Sequence, residues 1–221
     1  DVVILGDLNP WAISANPALG EEFVASLTDF VEEGGGLCVI AGEYDMPKAV
    51  AGTEFAQLLP VVLDPTGALA FEVDTSVEKW PTLEQPGDPH QIVRLHQDPQ
   101  VNQQLWEGPD GLRGFYWHFP VRGPKPGAQV LLRHPSASLS GSGERDPLLV
   151  AGYHPAGRSL FLGLDSTHRW QFRYEHRYHE RFWRNVIRWL AIGRLKGGDR
   201  RFQLDSLEPE YGLDERVTLE A

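Results

Sequence analysis

The sequence predicts an α/β domain, and three observations carry that expectation. Two short apolar runs near the start enclose a helical stretch, a second pair of apolar runs is joined by His154-Pro155-Ala156-Gly157, and a long amphipathic segment follows Glu175. Val2 to Leu5 is apolar and closed by Gly6-Asp7, the pattern of a strand buried on both faces. After a loop carrying Asn9-Pro10-Trp11, Asn16-Pro17 has the chemistry of a helix start, with Asn16 as N-cap and Pro17 in the first turn. Phe23, Leu27, Phe30 and Val31 then share one face, and Gly34-Gly35-Gly36 ends the helix. Leu37 to Ile40 forms the second strand, stopped by Ala41-Gly42, so the opening suits a right-handed parallel crossover.

The middle is more elaborate. Thr53 to Leu59 predicts a short helix ended by Pro60, Gln100 to Trp106 another, and Ala68 to Val73, Gly114 to Phe119 and Ala128 to Leu132 predict short strands between Pro- and Gly-containing loops. Ala137 to Arg145, with its Ser-Gly repeats, predicts a flexible surface loop. Leu148 to Tyr153 and Ser159 to Leu164 predict a hairpin. Tyr178, Phe182, Val186, Trp189 and Leu190 fall on one face of a helix over Glu175 to Ile192, capped by Gly193. Residues 1–198 make one domain; 199–221 are expected to be a linker and the start of a truncated β-rich module, with strands at Phe202-Gln203-Leu204 and Val217-Thr218-Leu219.

Composition narrows the partners. With 20 Lys+Arg against 31 Asp+Glu, the net charge of −11 opposes a phosphate backbone, so nucleic acid is not expected as a partner. The single cysteine excludes an intrachain disulfide, and no apolar run approaches the ~20 residues of a bilayer-spanning helix. Membrane insertion by these residues is therefore not expected. The chain opens without methionine inside an apolar run, and its ends read as boundaries within a longer protein whose compartment stays open.

Four stretches, taken together, resemble the class I glutamine amidotransferase-like family. They are Asp1-Val2-Val3-Ile4-Leu5-Gly6-Asp7, Phe30-Val31-Glu32-Glu33-Gly34-Gly35-Gly36-Leu37, Gly157 through Thr167, and Tyr178-His179-Glu180-Arg181-Phe182-Trp183 running on to Ile187-Arg188-Trp189-Leu190. The resemblance is to the amidotransferase-like domains of large bacterial proteins that often also carry membrane helices and von Willebrand A modules. It implies a flavodoxin-like, largely parallel sheet with helices on both faces, in which a strand-helix unit usually precedes the position of Asp1. Ligands of such sheets settle at the carboxyl ends of the strands, which makes Asn9, Trp11, Ala41, Gly42, Ser166, Thr167 and Trp170 candidate pocket residues.

Catalysis in that family needs a cysteine on the sharp turn between a strand and a helix, in a pattern close to Gly-x-Cys-x-Gly, with a histidine and a carboxylate. Here Gly36 precedes Cys38, but Val39-Ile40-Ala41 follow, so the thiol falls inside the strand and is expected to be buried and structural. His168 follows a strand much as the family's histidine does, yet Trp170 stands where its carboxylate belongs. Asp7, Glu43 and Asp165 each follow a strand end and would converge with His168 on an acidic rim; as turn residues they have a plainer explanation. His176 and His179, three apart, are better explained as a solvated helix face than as metal ligands, because the order His-Glu-x-x-His is absent and Arg173, Arg177 and Arg181 surround them. Trp170, Phe172, Tyr174, Tyr178 and Trp183 with Arg169, Arg173 and Arg177 suggest cation–π packing at the mouth of the sheet.

These readings lead to a non-catalytic binding or scaffold module of a larger bacterial envelope protein, without cofactor or metal. Its expected partner is a small polar ligand or the parent protein's other domains. The alternatives are a hydrolase using Asp7, Glu43, Asp165 and His168 or a glutamine amidotransferase, either acting at the carboxyl ends of the strands, and a protein-interaction platform.

Overall fold

A computed structural model describes residues 1–139, 141, 143–195, 205–206 and 219–220. The strand β1 (Val2–Leu5) leads through a 3-10 turn at Pro10–Ala12 into α1 (Pro17–Glu32), and Gly34, at φ 101°, turns the chain into β2 (Gly36–Ile40). Asn16 caps α1 by accepting from the Ala18 amide at 3.2 Å, and Pro17 costs nothing there because the first-turn N–H groups have no helical partner. Val2 pairs with Gly36 and Leu5 with Val39 in parallel register.

The middle holds β3 (Val61–Val62), β4 (Thr82–Leu83), α2 (Pro99–Trp106) and β5 (Gly123–Pro124), connected by 3-10 turns and loops. Glu54–Leu58 is one such turn, where a short helix was expected. Ala68–Glu72 is another, and this corrects the strand expected there: the Asp64 carboxylate accepts from the Thr66 and Leu69 amides and, with Gly67 at φ 66°, winds the chain into a turn. Gly114 to Phe119 is likewise not a strand. It makes a single bridge, Lys79 to Phe115, then crosses the sheet end, where the Phe119 amide donates to the Gly163 carbonyl.

Beyond them lie β6 (Gln129–Arg133), β7 (Pro147–Tyr153), β8 (Arg158–Leu162), the one-turn α3 (Gln171–Tyr174) and α4 (Arg177–Leu195). α4 runs past Gly193, so that glycine is not the expected cap. It marks a close approach: a Cβ there would lie 2.4 Å from the Gly34 carbonyl oxygen. The pair β9 (Asp205–Ser206) and β10 (Leu219–Glu220) is antiparallel; Phe202-Gln203-Leu204 and Val217-Thr218 lie outside the described residues.

The main sheet has the order β1-β2-β8-β7-β6-β4. It is mixed, where a largely parallel one was expected: β1, β2 and β8 run parallel, while the pairs β8-β7, β7-β6 and β6-β4 are antiparallel. The reason is local. A four-residue connection, closed by the His154 amide on the Gly157 carbonyl, can only fold β8 back against β7, whereas the parallel pair β1-β2 is linked through a helix. Strand alternation sends Leu37 and Val39 into the core under α1, with Leu27, Val31, Val150 and Phe161. Cys38 faces the opposite core with Leu160, Leu162 and the α4 residues Phe182, Val186, Trp189 and Leu190.

Candidate functional site

The ends of β1, β2 and β8 bring Asp7, Ala41-Gly42 and Leu164-Asp165 to one rim, and the Ala41 amide donates to the Leu162 carbonyl at 2.8 Å. Asp7 is occupied there. Its Oδ2 accepts from the Tyr44 amide at 2.9 Å, and Oδ1 from those of Asp45 at 2.6 Å and Met46 at 2.8 Å. Burial alone would raise its pKa, but these three amides and Lys48 hold the carboxyl below its ordinary value. A Cβ on Gly42 would lie 2.1 Å from Asp7 Cγ, so the glycine is what lets the carboxylate reach the β2 turn. Asp7 therefore latches the β1 and β2 loops together.

The other rim residues do not assemble into a relay. Glu43 is exposed, and its carbonyl accepts from Lys48 Nζ. Asp165 is exposed and accepts from Ser166 Oγ at 3.0 Å. His168, also exposed, sets its ring edge-on to Phe172 at 6.2 Å. Among the described residues no hydrogen bond joins any two of Asp7, Glu43, Asp165 and His168. Cys38 sits between Ile4 and Leu160 in mid-sheet, 0% exposed, and burial pushes its thiol up to about 12. The thiolate needed for nucleophilic attack is thus disfavoured as well as out of reach.

The candidate pocket residues are mostly structural. Asn9 caps the Pro10–Ala12 turn through the Trp11 amide, and Trp11 packs on α1 where Gly20 admits it, a Cβ there lying 2.7 Å from Trp11 Cα. Ala41, Gly42, Ser166, Thr167 and Trp170 are buried. Trp170 meets Trp106 and Phe182 edge-to-face at 5.2 and 5.0 Å. Arg169 stacks over Tyr116, which was not among the expected aromatics, and binds Glu78 at 2.8 Å; Arg173 holds the Pro109 and Gly111 carbonyls. Arg177 does stack over Tyr178. His179 meets Gln171 Nε2 at 3.2 Å, and among the described residues no three His, Cys, Asp or Glu side chains are placed to hold a metal ion.

Sequence reasoning missed a buried network near the same end of the sheet. Asp146, just before β7, faces His118 Nε2 at 3.1 Å and accepts from the Leu139 amide at 2.8 Å. His134, just after β6, lies 4.8 Å from His118 ring to ring, and its Nδ1 accepts from the Ser136 and Ala137 amides. A nitrogen that accepts two N–H bonds cannot carry a proton, in keeping with burial, chiefly, and His118 holding this ring's pKa at about 4. All three side chains are sealed from solvent, so the network clasps the loop from 134 to 146. That loop was expected to be flexible, but its ends are tied. A cavity of 10 Å³, room for one water, lies away from this rim between Leu83, His90, Gln129 and Leu131.

No family model matches the chain, and no curated protein sequence does. Solved structures share the fold, among them two from Salmonella typhimurium. The cytoplasmic protein STM3548 from Salmonella typhimurium superposes with a TM-score of 0.55 at 20% identity, and the cytoplasmic protein STM1381 from Salmonella typhimurium LT2 with 0.53 at 24%. Each match covers 86% of this chain and 71% of the other. The likeness places the chain among mixed α/β domains and carries no activity with it.

Proposed function

We propose that the chain is a non-catalytic module on an amidotransferase-like, flavodoxin-related frame, which binds a small polar ligand or neighbouring domains of a larger bacterial envelope protein at the carboxyl-end rim. One observation carries the reading: the lone thiol is sealed in mid-β2, three residues before the turn on which that chemistry needs it. The parallel half β1-β2-β8, with α1 as crossover, supports the frame. Support for a binding role comes from the aromatics left open near the rim, Tyr44 at 82% and Phe172 at 66% exposed, beside Glu43, Asp165 and His168. Aromatic side chains are enriched in interfaces relative to the rest of a protein surface. The same side chains favour protein over small molecule as the second reading.

Incubation with glutamine tests the proposal. Ammonia release is expected to stay at the uncatalysed background and to be the same for Cys38→Ser. Release above background that the serine variant abolishes would restore the enzyme.

A further inference from the structure

The opposite, amino-end rim of the sheet holds Arg158, a half-buried cation. Arg158 opens β8 and pairs with Tyr153, the last residue of β7. Its guanidinium carbon lies 4.9 Å from the centre of the Trp189 ring and 5.7 Å from that of Tyr153, and Nη1 donates to the Trp189 carbonyl at 2.9 Å. Among the described residues no Asp or Glu forms an ion pair with Arg158. The side chain is half-buried, and burial lowers its pKa. Among the described residues Nη1 alone of its nitrogens donates to a protein acceptor, which leaves N–H groups of the fork for a ligand.

The neighbours add to this. His90 sits edge-on to Trp189 at 5.7 Å, and its Nδ1 accepts from the Ile92 amide at 3.2 Å, which leaves Nε2 as the N–H of a neutral ring. Burial first, then Arg158 and Arg94, hold its pKa at about 4. Arg94 binds Asp88 and the Pro89 carbonyl.

We propose that Arg158, framed by Tyr153 and Trp189 with His90 and Arg94 beside it, is the binding site of a small oxyanion, a carboxylate or a phosphate. A guanidinium presents a planar fork matched to either, and here two aromatic rings and a carbonyl hold it in place before any ligand arrives. Preorganisation removes much of the ordering cost of capturing an ion with a long side chain. A half-buried cation that no carboxylate among the described residues meets carries a desolvation penalty that an oxyanion relieves. The net charge of −11 does not prevent this, since carboxylates more than about 8 Å away are screened at physiological ionic strength.

The test is a titration of the full chain with inorganic phosphate and, separately, with succinate, at ionic strength held constant with sodium chloride, followed by tryptophan fluorescence and calorimetry. A saturable response to at least one is expected, and whichever saturates at lower concentration names the ligand class. Arg158→Gln should weaken it by more than about tenfold, since a hydrogen bond to a charged group is worth ~1.5–3 kcal/mol. Tyr153→Ala, at a position 55% exposed, removes one of the two rings of the frame and should weaken it too, which keeps the test open should the glutamine variant fail to fold. A response no different from that to chloride, or one unchanged in a folded variant, would overturn the proposal.

Discussion

Trp106→Ala is expected to lower the stability of the domain by ~3–5 kcal/mol, the usual cost of emptying a large aromatic site in a packed core. Trp106 ends α2 and is 1% exposed; its ring meets Trp170 at 5.2 Å and Phe182 at 6.1 Å, both edge-to-face. Its Nε1 donates to the Val93 carbonyl at 2.8 Å. One side chain thus joins the elaborated middle to the turn after β8 and to α4. Alanine would leave a cavity among three elements and strip a buried carbonyl of its donor, and neither loss can be relieved by water from outside. At ~2–4 °C per kcal/mol for a chain of this size, the melting temperature should fall by about 10 °C. Trp106→Phe keeps most of the packing but not the hydrogen bond, and should lose roughly a third as much.

Asp146→Ala is the second large effect. Its carboxylate is fully buried and serves two donors, His118 Nε2 and the Leu139 amide. Removing it leaves both without their acceptor, and each unpaired buried donor costs ~1–3 kcal/mol, so a loss of about 3 kcal/mol or more is expected in urea denaturation. The Asp146 backbone also closes the loop, donating to the Ala137 carbonyl and accepting from the His134 amide. Amide hydrogen exchange from Ser136 to Leu139 should therefore accelerate in the alanine variant. Asp146→Asn keeps one acceptor and should fall between the two.

The elements readable from sequence are those whose chemistry is local. Asn16-Pro17 announces α1 because both residues act within one turn of the helix start, and Tyr178, Phe182, Val186, Trp189 and Leu190 announce α4 because one core wall receives them all. Ala68 to Val73 misleads because its fate is decided outside the run, by Asp64 accepting the amides of Thr66 and Leu69. Gly193 misleads for a related reason: a glycine demanded by a neighbouring backbone has the same letter as one that ends a helix. The antiparallel β7-β8 pair was legible in its four-residue connection, whereas the β6-β7 and β4-β6 pairings, made across longer stretches of chain, are not encoded in periodicity.

The sites divide in the same way. The burial of Cys38 depends on its place in a five-residue strand, so counting forward to Ala41-Gly42 was enough to anticipate it. Asp7 is harder, because whether a carboxylate after a strand is a base or a latch depends on amides of Tyr44, Asp45 and Met46 far along the chain. The His118–Asp146 pair spans 28 residues and the Arg158–Trp189 contact 31, and no motif links either. His134 and Asp146, bracketing the Ser-Gly loop at two strand ends, were the only hint of the clasp.

Alkylation of the native protein by iodoacetamide, read by intact mass, addresses the central claim most directly. With its sulfur enclosed by the α4 core and ionisation pushed up to about 12, Cys38 should remain unmodified over hours at pH 8 and react fully only after denaturation. Complete labelling of the folded protein within minutes would place the thiol within reach of solvent, and the account of this domain as a non-catalytic module would fail.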